Sequence, residues 1–243
     1  MANALCVRAS MGPARIAATI ISGGAFGRRV ADFLVGDEAG AQTSGDQPID
    51  SAGIESAFDR HDTSIVIALS RPDPELCQRA DQLAFDRNRS WLSIVMEHPV
   101  IRIGPLVRPP DGPCFTCSHR RRVQHEVGDE LSAVVKAAYI GDPVWGPEGY
   151  LPHQARLAAG IAHGLLLASG DGDVDDEALH RVVTIQLINN YISGDLVVPC
   201  HDCVHCRPGW HSGNLPSRDW MSQGNNTLER RALEARRQKD GQK

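Results

Sequence analysis

Aromatic residues are scarce in this sequence, at 5%. That leaves few flat side chains on which the bases of single-stranded nucleic acid could stack. Basic charge is not in excess either: Lys+Arg is 25 against Asp+Glu at 30, a formal net charge of −5. A protein that binds nucleic acid over its whole surface is thereby excluded, while local basic patches are not. No apolar run reaches the roughly 18–20 residues of a membrane span, and the best stretch, Ala158 to Ala168, is short and carries His163. Met1 to Pro13 has no sustained apolar core behind its charges, so no secretion signal is read and a cytoplasmic protein is expected. A phosphate-binding G-x-x-x-x-G-K-S/T loop, a G-x-S-x-G elbow and an H-E-x-x-H helix are all missing. What remains is an ordinary globular composition, 42% hydrophobic and 23% charged over 243 residues. That length fits one large domain or two small ones.

Strand and helix signals alternate. Arg15–Ile21 is β-rich and breaks at Ser22-Gly-Gly-Ala-Phe-Gly27, which leads into a short helix over Arg28–Val35. A helix is predicted over Ser51–Arg60 with Ser51 as its cap. Ser64–Leu69 is an unbroken apolar run, as in a strand covered on both faces. Pro72 and Pro74 open a helix to about Arg87, and Trp91–Met96 and Ile101–Gly104 read as strands. Helices follow at Ser118–Glu126, Glu130–Tyr139 and from Pro152 to about Ser169. Arg181–Ile188 and Asp195–Val198 are strands, with Ser193-Gly194-Asp195 as the turn between them. The pattern predicts an α/β fold: a Rossmann-like, mostly parallel sheet with helices on both faces. One domain is expected over 14–210, followed by a polar tail over 211–243 with a possible solvated helix.

Seven cysteines are present, and five of them cluster. Cys114-Phe-Thr-Cys117 and Cys203-Val-His-Cys206 are two C-x-x-C pairs, each flanked by Pro/Gly turn chemistry. Such a knuckle brings two thiolates together, and two knuckles complete a closed tetrahedral zinc site with no position for an activated water. The metal is read as structural, fastening the middle of the chain to its C-terminal hairpin. Cys200 and Cys203 form an alternative second pair in the same register, with His201 and His205 as further competitors; Cys203/Cys206 is preferred. Ser22–Gly27 sits between strand and helix as a nucleotide loop does, which makes Gly23, Gly24 and Gly27 candidate cofactor-binding residues. Yet Ser22 stands where the first glycine of G-x-G-x-x-G belongs, and no acidic residue ends a second strand at the usual distance. ATP binding is therefore not expected. The competing reading gives these glycines only a packing role. His119, Arg120–Arg122 and His125 form a basic cluster suited to an acidic peptide or an acidic partner face. Glu97-His98 could mimic an acid–base pair or be structural.

Three segments carry a family resemblance: Ile21–Gly27, Ile103–Arg120 and His201–Cys206. Together they resemble the ThiF-type, ubiquitin-activating-like superfamily, in its branch serving thiazole/oxazole-modified peptide biosynthesis. The segment IGPLVRPPDGPCFTC, running into an Arg-rich helix, is the specific part. The resemblance implies a zinc held by Cys114, Cys117, Cys203 and Cys206. It also implies a precursor peptide and a YcaO-type cyclodehydratase as partners, and a homodimer or a heterodimer with a related chain. No winged-helix recognition module is read ahead of Arg15, so another chain is expected to grip the peptide. A non-catalytic accessory protein is the function predicted. The alternatives are an ATP-dependent adenylyltransferase or sulfur-carrier activator, and a stand-alone peptide-binding module. Neither nucleic acid nor membrane is expected as a partner.

Overall fold

A computed structural model describes residues 7–11, 16–35, 51–59, 64–110, 113–125, 130–142, 145–147, 149–168, 180–201 and 203–206. The predicted polar tail lies outside these residues. Seven strands form one sheet in sequential order: β1 (Val7–Met11), β2 (Ile16–Gly23), β3 (Ser64–Leu69), β4 (Trp91–Glu97), β5 (Val100–Val107), β6 (Arg181–Gln186) and β7 (Ile192–Leu196). Six helices accompany it among the described residues: α1 (Gly24–Val35), α2 (Ser51–Phe58), α3 (Pro74–Arg87), α4 (Phe115–His125), α5 (Glu130–Gly141) and α6 (Pro152–Ala168).

The two-faced burial follows from strand alternation. In β3, Val66 and Ala68 join one core with α1 and α6, while Ile65, Ile67 and Leu69 join a second with α2 and α3. In β4, Leu92, Ile94 and Met96 take the first side, and Trp91 and Val95 the second. An unbroken apolar run is what a strand covered on both faces requires. Each fully buried aliphatic side chain contributes about 1.5–3 kcal/mol. On α3, Asp73 caps the first turn through Leu76 N at 2.9 Å, Pro74 sits at the helix start, and Asn88 ends it in the left-handed region at φ 52°.

The α/β layering is as the sequence predicts, with helices on both faces. Parallel pairing is confined to β2–β3–β4, and β1–β2, β4–β5, β5–β6 and β6–β7 pair antiparallel. The reason is connection length: only His98-Pro99 joins β4 to β5, which allows a hairpin and no parallel crossover. β1 falls where the sequence shows no firm element. The predicted turn at Ser193-Gly194-Asp195 is instead the interior of β7. The chain reverses earlier, between Gln186 and Ile192, where Asn190 takes φ 56°. Asparagine tolerates that left-handed backbone better than most residues, so Asn189-Asn190 is the turn signal.

Helix α6 presents apolar residues on more than one face because it packs into the first core along most of its length. Ala155, Ala158, Ala159, Ala162 and Leu166 are buried in the first core, with Leu157, Ile161 and Leu165 packed at its margin. A stripe through Pro152, His153, Arg156, Gly160, Gly164 and Ala168 is exposed along the helix. No helix among the described residues is long and apolar enough to cross a membrane.

Candidate metal centre

The first C-x-x-C knuckle lies at the start of α4, and the second lies in the turns after β7. Their sulfurs converge: one ligand atom from each of Cys114, Cys117, Cys203 and Cys206 lies within 4.8 Å of the others. Cys114 Sγ is 3.4 Å from Cys203 Sγ, and Cys117 Sγ is 3.5 Å from Cys206 Sγ. A tetrahedral zinc–thiolate site with bonds of about 2.3 Å places its sulfurs about 3.8 Å apart, so the group has the span of such a site. Cys200 is buried beside the cluster but is not one of the four. Its backbone N–H donates to Cys117 Sγ at 3.2 Å, as does Cys117 N to Cys114 Sγ at 3.4 Å. The structure therefore places Cys203 and Cys206 together with the first knuckle, and gives Cys200 a backbone role toward it.

The sulfurs share protons unequally. Hydrogen bonds from the Cys114 and Cys117 thiols hold Cys206 down to about 4. Hydrogen bonding with Cys117 and Cys206, together with burial, pushes Cys114 far up. One thiolate supported by neighbouring thiols is a donor set suited to a thiophilic cation, which replaces the shared protons and satisfies all four sulfurs.

A fifth residue, Asp81 on α3, organises this centre. Its side chain is fully buried and accepts from Phe115 N and Thr116 N at 3.0 Å each, and from Thr116 Oγ1 at 2.8 Å. It thus caps the first turn of α4 from a different helix. On its other flank His205 Nδ1 stands 3.5 Å from Asp81 Oδ2, an electrostatic contact longer than a well-formed hydrogen bond. The His205 ring also stacks on Phe85 of α3, with centroids 5.6 Å apart. Burial works to raise the Asp81 pKa, but the His205 contact and the Thr116 and Phe115 hydrogen bonds outweigh it and hold the carboxyl below its ordinary value. Asp81 in turn raises His205. The sequence contained one pointer to this role: a carboxylate on the apolar face of α3, between Cys77, Ala80, Leu83 and Ala84.

The glycine loop is engaged internally. Gly24 has φ 72°, and a Cβ there would come 2.3 Å from Ser70 Oγ. A Cβ on Gly27 would come 2.2 Å from the Ala68 carbonyl oxygen. Ser70 Oγ accepts from Phe26 N at 2.9 Å and Gly27 N at 3.3 Å, and donates to Gly23 O at 3.0 Å. These are the α1 amides that would face an anion bound at that helix terminus. Among the described residues the strand order follows the chain without a reversal.

Glu97 and His98 do not work together. Glu97 accepts from Arg102 Nε at 2.8 Å and from Arg122 Nη1. His98 contacts Tyr139 Oη at 3.1 Å and the Gly149 carbonyl at 2.8 Å, tying the β4–β5 turn to α5 and the loop after it.

No family model and no curated protein matches the sequence. Among solved structures the chain is similar to MccB from E. coli, at 13% identity and a TM-score of 0.49, covering 70% of this chain and 46% of that one. It is similar to a heterocyclase solved with substrate and cofactor, at 18% identity and a TM-score of 0.44, covering 66% of this chain and 24% of that one. A third likeness is to the E. coli microcin synthetase McbBCD complex, at 16% identity and a TM-score of 0.47, covering 59% of this chain and 53% of that one. All three are distant, and the chain spans about half or less of each neighbour's length.

Proposed function

We propose that this chain is a non-catalytic, ThiF-like accessory protein of azole-peptide biosynthesis that docks to a YcaO-type cyclodehydratase and helps present its precursor peptide. A structural zinc held by Cys114, Cys117, Cys203 and Cys206 fastens α4 to the segment after β7. The motifs that resemble the superfamily supply the pathway. The closed donor set supports a structural role for the metal: four sulfurs would fill a tetrahedral ion and leave no position on it for water or substrate. When bound, the metal supplies a rigid crosslink and no Lewis-acid chemistry. The observation that carries the accessory role is the engagement of the Phe26 and Gly27 amides by Ser70, because nucleotide binding at that helix terminus would need those donors.

Co-expression with a YcaO-type cyclodehydratase and its precursor peptide tests the reading. The expected outcome is a stable complex whose heterocycle formation falls when this chain is left out. Pyrophosphate exchange with ATP and candidate carboxyl substrates should stay at background. Exchange above background that is lost in Gly24→Asp would establish the adenylyltransferase alternative instead.

A further inference from the structure

Five exposed large hydrophobic residues lie on the hairpin of β6 and β7 and the segment just after it. Ile188 is 86% exposed, Tyr191 63% and Leu196 55%, with Ile192 and Val198 similarly open. β7 ends the strand order of the sheet and pairs only with β6 among the described residues. Its register reveals which backbone groups are uncommitted. Gln186 N donates to Tyr191 O and Val197 N donates to His180 O, both at 2.8 Å. Antiparallel pairs alternate, so Tyr191, Ser193, Asp195 and Val197 turn their amides and carbonyls toward β6. Ile192, Gly194 and Leu196 turn theirs to the open edge. The strand Ile192–Leu196 carries exposed Ile192, Asp195 and Leu196 but no lysine, proline or bulge, and an edge without those guards invites another strand.

Beside this edge lies a groove of about 640 Å³, lined by Arg102, Arg121, Arg122 and His125 on one side and by Asp195, Leu196 and Val198 on the other, so that its cations outnumber the single β7 carboxylate. Helix α4 contributes most of the charge and contains no carboxylate. Arg102 and Arg122 are partly neutralised by Glu97. Arg121 is different: its guanidinium meets the carbonyl oxygens of Val198 and Pro199, at 3.3 and 3.4 Å, and no carboxylate among the described residues. A cation held at the end of an open strand, in a groove where arginines outnumber carboxylates, selects an acidic occupant against the chain's overall negative charge.

We propose that an extended acidic peptide adds to β7 as an eighth strand, pairing with the outward groups of Ile192, Gly194 and Leu196, and places a carboxylate against Arg121. This goes beyond the accessory reading and holds whether or not the chain partners a cyclodehydratase.

The test uses the full chain alone and a fluorescein-labelled peptide of alternating valine and glutamate. Three comparisons accompany it: the valine–lysine counterpart, the same acidic peptide N-methylated at alternate residues, and the acidic peptide with Arg121→Glu or Leu196→Pro protein. Anisotropy should report saturable binding of the acidic peptide. Binding should weaken roughly tenfold or more with N-methylation, with Arg121→Glu and with Leu196→Pro, and the lysine peptide should not saturate. The N-methyl arm uses unaltered protein, so a variant that fails to fold leaves the result readable. Equal binding of the N-methylated peptide, or of the lysine peptide, overturns the proposal. So does a homodimer in light scattering that Leu196→Pro dissociates, since a second copy would then be the occupant.

Discussion

At the scale of single residues, the centre depends on Asp81 as much as on its cysteines. Asp81→Ala leaves the amides of Phe115 and Thr116 without acceptors at a buried helix start. The cost should be about 2–4 kcal/mol, since charged acceptors of backbone amides are worth more than neutral ones. The folded-state pKa lies below the ordinary carboxylate value. The contribution is therefore complete above that ordinary value and is lost as pH falls through the lowered one. Urea unfolding at neutral pH should show the full gap between the variant and the parent, and the gap should narrow in strong acid. A gap that stays constant would mean that packing, and not ionisation, explains the loss. The four cysteines were legible in the sequence because C-x-x-C spacing is itself the geometry of a knuckle. Asp81 was not, because its partners on α4 are brought to it only by tertiary packing. Metal content separates the roles: Cys117→Ser and Cys206→Ser should lose zinc in elemental analysis, whereas Cys200→Ser should keep it, because Cys200 contributes its backbone N–H.

At the scale of elements, the junction of β2 and α1 is a lock between two strands. Ser70, just beyond β3, substitutes for an N-cap that the Gly-rich entry to α1 does not provide. Ser70→Ala removes an acceptor for two amides and should cost about 1–3 kcal/mol in chemical denaturation. Gly27→Ala should cost at least as much, because its new methyl meets the Ala68 backbone, which cannot rotate away. If both variants unfold like the parent, the loop is slack enough to rearrange around a ligand and the packing role is wrong. The sequence showed the glycines clearly, but glycines in a strand-to-helix turn look alike whether a phosphate or a neighbouring strand approaches. Only the arrival of Ser70, far away in sequence, separates the two. The hairpin was misplaced for a related reason. Ser-Gly-Asp and Asn-Asn are both turn sequences, and the choice is made by the pairing of Ile185 with Ile192, which keeps Val183 and Ile185 inward.

At the scale of the whole molecule, alternation of apolar runs made the two-faced α/β layering legible, while the antiparallel flanks follow from short connections whose pairing partners are not local. Oligomeric state depends on the same kind of non-local fact. The apolar faces of α6 argued from sequence for a buried contact, in the core or at a partner, and the structure accounts for them within the core. Its exposed stripe carries Gly160 and Gly164, and a Cβ on either meets nothing within 4 Å. Neither has a positive φ, so alanine fits both the backbone and the space. Gly160→Ala and Gly164→Ala should each stabilise the chain by about 0.5–1 kcal/mol, by favouring helix and restricting the unfolded state. If α6 instead formed a subunit contact, close approach at these two glycines would make the added methyls disruptive. Light scattering should therefore give the same mass for the double variant as for the parent, with a higher Tm. A lower mass together with a lower Tm would place a subunit interface on α6.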